Sequence, residues 1–370
     1  MPSFSSALLR WYSENGRSLP WRNTRDPYRI WISEIILQQT RVAQGYEYYL
    51  RFIDRFPTVE KLAEAPQDEV MRLWEGLGYY SRARNLHAAA RQVVLQGRFP
   101  QDYAGVKALK GVGDYTAAAI CSFAYGLPTA VVDGNVYRVL ARYFGIETPI
   151  DTTEGKKLFA HLAQELLSVR QPAVYNQAIM DFGALQCTPR NPNCNTCPLS
   201  ESCAALAEKK IELLPVKSKK TAVSHRYLIY ILILRHNANE EALYLRKRPT
   251  GDIWAGLYEP LLIEFPHQPE DAEIIARLEQ LSLLGQSSVL KPIVRNIKHQ
   301  LTHRLLHCSA FTLHAPQHPP TDFIAVPLSE LSRYAFPKLV NIIFDTMDLS
   351  AAKEVRLSDS HRGESALSLQ

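Results

Sequence analysis

The chain has 370 residues, more than the roughly 250–300 at which a single core stops growing, so we expect two domains. Hydrophobic residues make up 46% and charged residues 21%, which excludes a disordered or fibrous chain. No uncharged apolar run approaches the roughly 20 residues of a membrane span, and residues 1–20 lack the apolar core of a secretory signal. We therefore expect an intracellular, cytoplasmic protein without a membrane partner.

The net charge of +5 is unevenly distributed along the chain. Residues 1–220 contain 27 Lys and Arg against 21 Asp and Glu, whereas residues 221–370 contain 15 against 16. The basic excess in the first part indicates a polyanionic partner, although a solvated surface with a small bias would give the same numbers.

Apolar residues recur at helical spacing through residues 1–212, which predicts a mostly helical first domain. A helix at 31–56 would end before Pro57, and two short helices would be separated by Pro66. A helix at 81–97 would begin at a Ser81 cap and end at Gly97. Four more helices are predicted at about 115–124, 133–144, 155–168 and 172–185.

A lysine-rich connector at 213–221 separates this part from a second predicted domain at 222–349. The strand-like runs of that domain are "RYLIYILIL", "EALYLRKR", "GLYEPLLIEF" and "LLHCSAFTLH". Because a single helix at 270–281 interrupts them, we expect an α+β domain. Residues 350–370 have few large apolar residues, and we predict that they are disordered.

Four of the six cysteines fall within 17 residues, in the pattern Cys187-x6-Cys194-x2-Cys197-x5-Cys203. Disulfides are unexpected in an intracellular protein. Structural zinc is a stronger alternative, but zinc sites usually pair two CxxC hairpins, and this stretch has one CxxC flanked by unequal gaps. The spacing therefore favours an iron–sulfur cluster over zinc. The other two cysteines, Cys121 and Cys308, lie in apolar runs typical of a core.

The order of "LKGVGDYTAAAI" (109–120), "VVDGNVYRVLAR" (131–142) and the cysteine pattern resembles the helix-hairpin-helix DNA glycosylase superfamily. "LPWR" (19–22), "WISEIILQQTRV" (31–42) and "GLGYYSRARNL" (76–86) are similar to the adenine DNA glycosylases of MutY type. The resemblance implies an all-α glycosylase core over 1–212, with a hairpin at about 109–120 and an iron–sulfur loop at 187–203. It further implies that the four clustered cysteines hold a [4Fe–4S] cluster.

The hairpin glycines could bring backbone N–H groups close to a DNA phosphate. Gly111 and Gly113 have no Cβ, so a phosphate can approach their amides; such a contact positions DNA without reading its sequence. An ordinary turn between two helices is the alternative for an isolated GxG. The motifs that follow it favour DNA binding.

Two carboxylates are the candidate catalytic groups. Glu34, on a strongly apolar helix, is either on the polar edge or a buried acid with a raised pKa. The resemblance makes Glu34 the acid that protonates adenine. Asp133 could simply cap a helix, which would also fix its carboxylate. By resemblance, Asp133 stabilises or attacks the sugar cation, and Asn135 helps to organise the site.

Position 115 bears on the type of reaction. Bifunctional relatives of endonuclease III type carry a lysine there that forms a Schiff base and leads to strand cleavage. This chain has Tyr115, and the MutY type also has a hydroxyl residue. The resemblance therefore implies base removal by water without an efficient lyase step.

Adenine must leave the base stack to be reached, so other residues must open and fill the duplex. By resemblance, Gln39 and Thr40 enter near the lesion pair, and Leu77 with Tyr79 wedges the stack. A core aromatic pair is the alternative for Tyr79 and its neighbour. The resemblance also implies that Arg17 and Arg22 lie near the adenine pocket. Without the resemblance, two arginines would be expected at the surface.

"LRKRPTGDIWAGLYEP" (245–260) resembles the Nudix-like domain of the same family, but no REx2EExGx array follows it. We therefore expect this domain to bind rather than to hydrolyse, and the family uses it to recognise 8-oxoguanine. Thr302 and His303 match the family's Ser/Thr–His pair, whereas Leu301 replaces a frequent aromatic residue. The histidines at 299, 303 and 307 could form a metal face only on a helix, and their surroundings are strand-like.

The sequence thus predicts a monomeric base-excision enzyme that removes adenine paired with 8-oxoguanine or guanine in double-stranded DNA. In a bacterium we would expect it at the nucleoid. Two alternatives remain. One is a bifunctional glycosylase/lyase of endonuclease III type, and the other is a non-catalytic DNA-binding protein with an iron–sulfur cluster or zinc.

Overall fold

The computed structural model describes residues 3–218, 223–237, 240–314, 316, 318 and 320–349. The predicted tail at 350–370 lies outside these residues, as does part of the predicted linker. The chain forms two compact units, one of Met1–Glu64 and Asn85–Lys220 and the other of Ala65–Arg84 and Thr221–Gln370. This division differs from the predicted boundaries because the segment 65–84 packs with the second unit. None of the described helices has the length and apolarity to cross a bilayer.

The helical part of the described chain has twelve α-helices before residue 210. Their bounds are α1 Phe4–Asn15, α2 Pro27–Leu37, α3 Val42–Arg55, α4 Val59–Glu64, α5 Gln67–Leu73, α6 Ser81–Leu95, α7 Tyr103–Lys107, α8 Asp114–Tyr125, α9 Gly134–Phe144, α10 Thr153–Leu166, α11 Pro172–Asp181 and α12 Ala204–Ala207. Helix α5 and the first turn of α6 belong to the second unit. Helix α11 continues directly into a π-helix at Phe182–Gln186.

The single helix predicted at 31–56 is wrong. The structure has α2 and α3 there, separated by Gln38–Arg41, and Gln39 takes a left-handed φ of +60°. Helix α2 begins earlier than predicted because Asp26 accepts a hydrogen bond from the Tyr28 amide and a proline occupies the first helical position. The apolar spacing continues across both helices, so it conceals the short polar break.

The predicted break at Pro66 is confirmed, since α4 ends at Glu64 and α5 begins at Gln67. Ser81 is the first residue of α6 rather than its cap. The chain leaves this helix before Gly97, which has a φ of +73°. A left-handed φ is tolerated best by glycine, which explains the end of the helix there.

Helices α2 and α8 are buried on nearly every side. Eight of the eleven residues of α2 are buried, and α8 buries all its residues from Thr116 to Ser122. Helices that are apolar all round belong in the interior, where they can be packed by neighbours on each side. A polar side chain on either helix is consequently held in one place by the core.

The second unit contains the seven strands and the last two helices of the described chain. Their bounds are β1 Ser224–Asn237, β2 Glu240–Lys247, β3 Tyr258–Glu259, β4 Leu261–Phe265, α13 Asp271–Gln280, β5 Val289–Gln300, β6 Arg304–His314, β7 Ile324–Pro327 and α14 Lys338–Asp345. The strand order is β3-β2-β1-β6-β5, with β4 pairing to β1 and β7 to β2. The β1–β6 pair is parallel and the others are antiparallel.

Both faces of this sheet are covered by apolar side chains. On β1, Leu228, Tyr230 and Leu232 face one core that includes residues of α14, and the alternate isoleucines face a second core that includes residues of α13. A strand buried on both faces is a continuous apolar run rather than an alternating one. The α+β expectation is confirmed, and α13 is the helix that interrupts the strands of the described chain. Helix α14, which follows the last strand and covers the other face, was not predicted.

The hairpin before α8 depends on a glycine with a left-handed backbone. Gly111 has a φ of +79°, and a Cβ there would lie 2.6 Å from Cβ of Asn85. Gly113, the residue before α8, has a φ of −95°, and a Cβ there would meet nothing within 4 Å.

We expect Gly111→Ala to lower the free energy of unfolding by about 2 kcal/mol or more, since the left-handed backbone and the overlap with Asn85 both oppose a methyl group. Gly113→Ala is the matched control, with an expected change within about 1 kcal/mol. Chemical denaturation of both variants measures the difference. Equal stabilities would contradict this account of the turn.

Candidate active site

One cavity of the first unit, about 1020 Å³ in volume, collects ten residues predicted to be functional. They are Arg17, Arg22, Glu34, Gln39, Thr40, Gly111, Gly113, Tyr115, Asp133 and Asn135. These residues come from four separate stretches of sequence, so their convergence on one cavity is a property of the fold. The cavity lies between α2, the hairpin and the start of α9.

Glu34 is buried within α2, with 7% of its surface exposed. The polar-edge alternative is therefore wrong. Burial raises the pKa of its carboxyl to about 7, and the Asp133 charge contributes in the same direction. A hydrogen bond with Tyr115 and the charge of Arg22 oppose the rise. Near neutral pH this carboxyl can hold a proton and give it up, as a general acid must.

Asp133 caps α9, as its position before "GNV" predicted. Its Oδ1 accepts hydrogen bonds from the amides of Asn135 and Val136 at 2.9 and 2.8 Å, and its Oδ2 accepts one from the Asn135 side-chain amide at 2.8 Å. Burial raises the pKa of Asp133, and these three N–H donors oppose the rise. The pKa of Glu34 is lowered by one hydrogen bond, with Tyr115, so of the two carboxyls it is the one that keeps a proton more readily.

Both carboxyl groups act electrostatically on the hydroxyl of Tyr115. Burial raises its pKa well above the usual range, and the charges of Glu34 and Asp133 add to the rise. The hydroxyl thus remains protonated and donates, with one contact to Sδ of Met180 at 3.5 Å. No amine occupies this position, so a Schiff base cannot form there.

Arg17 and Arg22 are not bare surface arginines, because both bind Asp181. The carboxylate of Asp181 is fully buried and accepts bonds of 2.9 and 2.5 Å from Arg17 and of 2.6 and 2.7 Å from Arg22. Sequence reasoning missed Asp181. A single acid within "IMDFG" has no periodic or motif signal, and its partners are more than 150 residues away in the chain.

The polar break between α2 and α3 also faces the cavity. Gln39 is exposed there with its left-handed φ, and Thr40 donates its amide to the Leu37 carbonyl at 3.2 Å. The preceding Gln38 binds Thr116 of α8 at 3.1 Å, which holds the break in place. Strained, exposed positions of this kind are common where a protein contacts its ligand.

The four clustered cysteines form no disulfides and are all half-buried. Burial, together with the charges of the other three thiols, raises the pKa of Cys197 to about 11. Mutual repulsion between ionised thiols indicates that they are neighbours, and a cationic centre would relieve it. The four thiols therefore fit a cluster with four cysteine ligands. Within the described ranges, no three His, Cys, Asp or Glu side chains are grouped closely enough for a single metal ion.

Two arginines of α9 form hydrogen bonds with the cysteine loop and hold it against the core. Arg142 is buried and binds the carbonyls of Thr188 and Pro189 at 2.7 and 3.1 Å, with a contact to Sγ of Cys187 at 3.5 Å. Arg138 binds the Cys187 carbonyl at 2.8 Å.

Arg138 also reaches the candidate active site, since its Nη2 donates to Oδ1 of Asn135 at 2.8 Å. Asn135 in turn holds Asp133, so a continuous set of hydrogen bonds runs from the cysteine loop to that carboxylate. The role of both arginines was missed, because their helical spacing indicates only a shared face.

The remaining four predicted residues line a second cavity, of about 600 Å³, within the second unit. They are Leu77, Tyr79, Thr302 and His303. Tyr79 is exposed, with a left-handed φ of +46°, and its hydroxyl is hydrogen-bonded to that of Thr302. The core-pair alternative is therefore wrong for Tyr79. Leu77 is buried beneath this loop.

Thr302 and His303 form the exposed turn between β5 and β6. The amide of Leu301 donates to the Arg304 carbonyl at 2.8 Å, which closes the turn. His299 and His307 lie on the two strands and His303 on the turn, so the three histidines share no helix face. The interpretation of their spacing as a metal-binding helix face is therefore wrong.

A loop stabilised by Arg248 also lines this second cavity. Arg248 donates to the Ile253 carbonyl at 3.0 Å and to Asp252 at 2.9 Å, and it forms an ion pair with the buried Glu259. Asp252, Ile253 and Trp254 thereby line the cavity. The sequence indicated the motif but not which of its residues would face a ligand.

Three family models match this chain, and together they cover both units. Residues 32–165 match the HhH-GPD superfamily of base excision DNA repair proteins. Residues 187–203 match the iron–sulfur binding domain of endonuclease III, and residues 229–346 match the NUDIX domain. The predicted fold class is confirmed, with a helix-hairpin-helix core and a Nudix-like domain, and so is the predicted cofactor, a [4Fe–4S] cluster.

Relatives and a solved structure agree with these matches. The chain is 35% identical to an adenine DNA glycosylase of Buchnera aphidicola from Baizongia pistaciae, over 82% of this chain and 84% of the relative. It is 44% identical to the adenine DNA glycosylase of Mus musculus, over 55% of this chain and 42% of the relative. A thermostable thymine-DNA glycosylase superimposes with a TM-score of 0.52 at 34% identity, over 55% of this chain and 95% of that chain. The resemblance inferred from the sequence is confirmed: the chain belongs to the adenine DNA glycosylase family.

Proposed function

We propose that this protein removes adenine from double-stranded DNA by hydrolysing its N-glycosidic bond, as the first step of base excision repair. The observation that carries the proposal is a buried carboxyl, Glu34, with a pKa of about 7, in the same cavity as a carboxylate, Asp133, fixed by three N–H donors. The family relation supports the choice of base.

In the proposed reaction Glu34 donates its proton to the adenine ring. A protonated adenine leaves as a neutral molecule. Without the proton it would have to leave as a purine anion, which is a poorer leaving group. The surrounding apolar residues of α2 keep the carboxyl protonated until the base arrives. Tyr115, as a hydrogen-bond partner, holds the orientation of the carboxyl.

Loss of the base leaves positive charge on the sugar, and Asp133 would stabilise it. Its three N–H bonds hold the carboxylate in one orientation, so little reorganisation is needed as the charge develops. Asn135 supplies two of these bonds and is the proposed positioning residue. Water then completes the reaction, because Tyr115 cannot form the Schiff base of a lyase.

The DNA must be held and opened for this chemistry. We assign the amides of Gly111 and Gly113 to a backbone phosphate, with Gln39 and Thr40 at the mispair. Arg17 and Arg22 line the pocket that the flipped adenine enters. When bound by the four cysteines, the cluster fixes the loop that the two arginines of α9 hold.

The second cavity is the proposed reader of 8-oxoguanine or guanine opposite the adenine. Thr302 and Tyr79 contribute two hydroxyls to its lining, and His303 adds a ring that can donate a hydrogen bond. The chain lacks the acidic array that a Nudix hydrolase needs to hold Mg²⁺. We propose that this unit only binds, and that the protein acts as a cytoplasmic monomer on DNA.

Glu34→Gln should lower the single-turnover rate of adenine release by at least about 100-fold, because the amide cannot supply the proton. The assay uses duplexes with adenine opposite 8-oxoguanine, guanine or thymine, analysed before and after alkali. Glu165→Gln, on an exposed face of α10, is the control that should leave the rate unchanged.

Three results would count against this assignment. An active Glu34→Gln enzyme would remove Glu34 from the acid role. Strand nicking without alkali, or an adduct trapped by borohydride, would show a lyase. Binding without base loss in the wild-type protein would leave a protein that only senses damage.

The raised pKa of Glu34 also predicts a specific dependence of stability on pH. The folded state binds the proton more tightly than the unfolded state, so the stability is full below about pH 4.5 and falls as the pH rises to about 7. Above that window the ionised, buried carboxylate should cost about 3 kcal/mol. The same titration predicts that the wild-type rate falls tenfold per pH unit above about pH 7.

Glu34→Gln has no carboxyl to ionise, so we expect it to be more stable than the wild type at pH 8 and equal to it at pH 4. Denaturant unfolding at both pH values measures the difference. An equal effect of the substitution at both would show that Glu34 does not carry the shifted pKa.

Thr302→Ala should reduce the preference for 8-oxoguanine over guanine by about 3- to 10-fold, the range expected for one lost hydrogen bond. Binding to duplexes containing each base measures the preference, and Thr321→Ala, at an exposed position of the same unit, is the control. If Thr302→Ala weakened binding to both duplexes equally, the hydroxyl would contact DNA without reading the base.

A further inference from the structure

Within the described part of the chain, Asp181 is the one fully buried carboxylate that contacts residues lining the active-site cavity. The proposed reaction assigns it no role. Its side chain does not line the cavity. It lies behind Arg17 and Arg22, which do. The side chains of these arginines are 28% and 10% exposed, so both are partly withdrawn from water.

The carboxylate is saturated by hydrogen bonds from the two arginines. Arg17 donates from its backbone amide at 3.0 Å, from Nε at 2.9 Å and from Nη2 at 2.5 Å. Arg22 donates from Nη1 at 2.6 Å and from Nη2 at 2.7 Å. Such paired contacts fix the plane of a guanidinium as well as its position.

The charge of this group matters because its two arginines line the same cavity as Glu34. Three charged or titratable groups act on Glu34 from the elements packed around it: Tyr115 of α8, Asp133 before α9, and Arg22 of the Pro20–Arg22 turn. Arg22 is the cation among them, and its charge lowers the pKa of Glu34. A guanidinium without a neutralising partner in this cavity would favour the ionised form of Glu34, which cannot donate a proton.

We propose that Asp181 is a positioning residue of the active site, whose buried carboxylate fixes Arg17 and Arg22 and offsets their charge beside Glu34. The two arginines and one acid carry a net charge of +1 instead of +2. Arg22 can then line the adenine pocket as a directed donor without driving the proton off the acid. This inference rests on the proposed role of Glu34.

The other contacts of Arg22 agree with a fixed guanidinium. Its Nη1 also donates to the Arg17 carbonyl at 3.0 Å and approaches the Tyr12 hydroxyl at 3.4 Å, and Tyr12 donates to Gln177 at 2.9 Å. Burial alone would raise the pKa of Asp181, but the bonds from Arg22 and Arg17 outweigh it and hold the pKa below its usual range. The acid therefore stays ionised, and the neutralisation persists, across the working pH range.

The test is the pH profile of the single-turnover rate for the full-length enzyme loaded with its cluster. Asp181→Asn removes the negative charge, so the loss of rate on the alkaline side should begin about 0.5–1 pH unit lower than in the wild type. Asp181→Glu should restore most of this displacement. Tyr12→Phe removes a contact of Arg22 without a change of charge and should leave the profile in place.

A purely structural Asp181 would lower the rate at every pH without displacing the profile, and that result would overturn the inference. An equal displacement by Tyr12→Phe would overturn it as well. If Asp181→Asn fails to fold, Arg17→Gln replaces it. That variant leaves the carboxylate less neutralised, so the alkaline limb should move to higher pH, and no movement or the opposite one would refute the proposal.

The failure of this inference is distinguishable from a failure of the proposed function. If Glu34 is not the acid, the wild-type enzyme will show no alkaline limb near pH 7, or Glu34→Gln will remain active. If Glu34 is the acid but Asp181 does not neutralise Arg22, the wild-type limb will be present and will not move in the Asp181 variants.

Discussion

The protonated state of one buried carboxyl is the constraint on which the proposed active site depends. Glu34 lies in an apolar helix, where burial favours its neutral form, yet a cation and an anion both face it. The competing influences leave its pKa at about 7. A more polar helix would let the carboxyl ionise, and a drier site without Arg22 would make it a weaker acid. The fold must therefore set the balance of charges as well as the position of the side chain.

The helical unit satisfies that constraint by placing the proposed catalytic groups on its most deeply buried helices. Helices α2 and α8 are buried on nearly all sides, and they carry Glu34 and Tyr115. Asp133 is held by the first turn of α9. The groups expected to contact DNA are instead at breaks and turns, such as Gln39 and Gly111, where the backbone is left-handed and exposed. The proposed catalytic groups thus lie on buried helices, and the groups expected to contact DNA lie on exposed turns.

Much of the fold and of the site could be predicted from the sequence, because those parts depend on local patterns. Helical spacing located most helices, and residue types in short motifs located Glu34, Asp133 and the four cysteines. The break between α2 and α3 was missed because apolar spacing runs through both helices. Helix α14 was missed because a short apolar segment near the end of the sheet does not reveal which face it must cover.

Asp181 and Arg138 were missed for a different reason. The partners of Asp181 are distant in sequence, and most of the acceptors of Arg138 are backbone carbonyls, so neither residue is revealed by a pattern in the chain. Family resemblance supplied the residues of the motifs but not the contacts that hold them. Those contacts depend on how α11 and α9 cross, which only the three-dimensional structure defines.

The π-helix at Phe182–Gln186 has a consequence for how this sequence can change over evolution. It is the five-residue span between Asp181, which binds two arginines, and Cys187, whose carbonyl binds Arg138. Within it, the Gly183 carbonyl accepts a further bond from Arg138 at 2.5 Å, and a Cβ on this glycine would lie 2.6 Å from Cβ of Asn135. A deletion or insertion in this span would rotate at least one of these groups away from its partner. The length of the span should therefore be fixed even where its residue types vary, whereas surface loops elsewhere in the chain are free to lengthen.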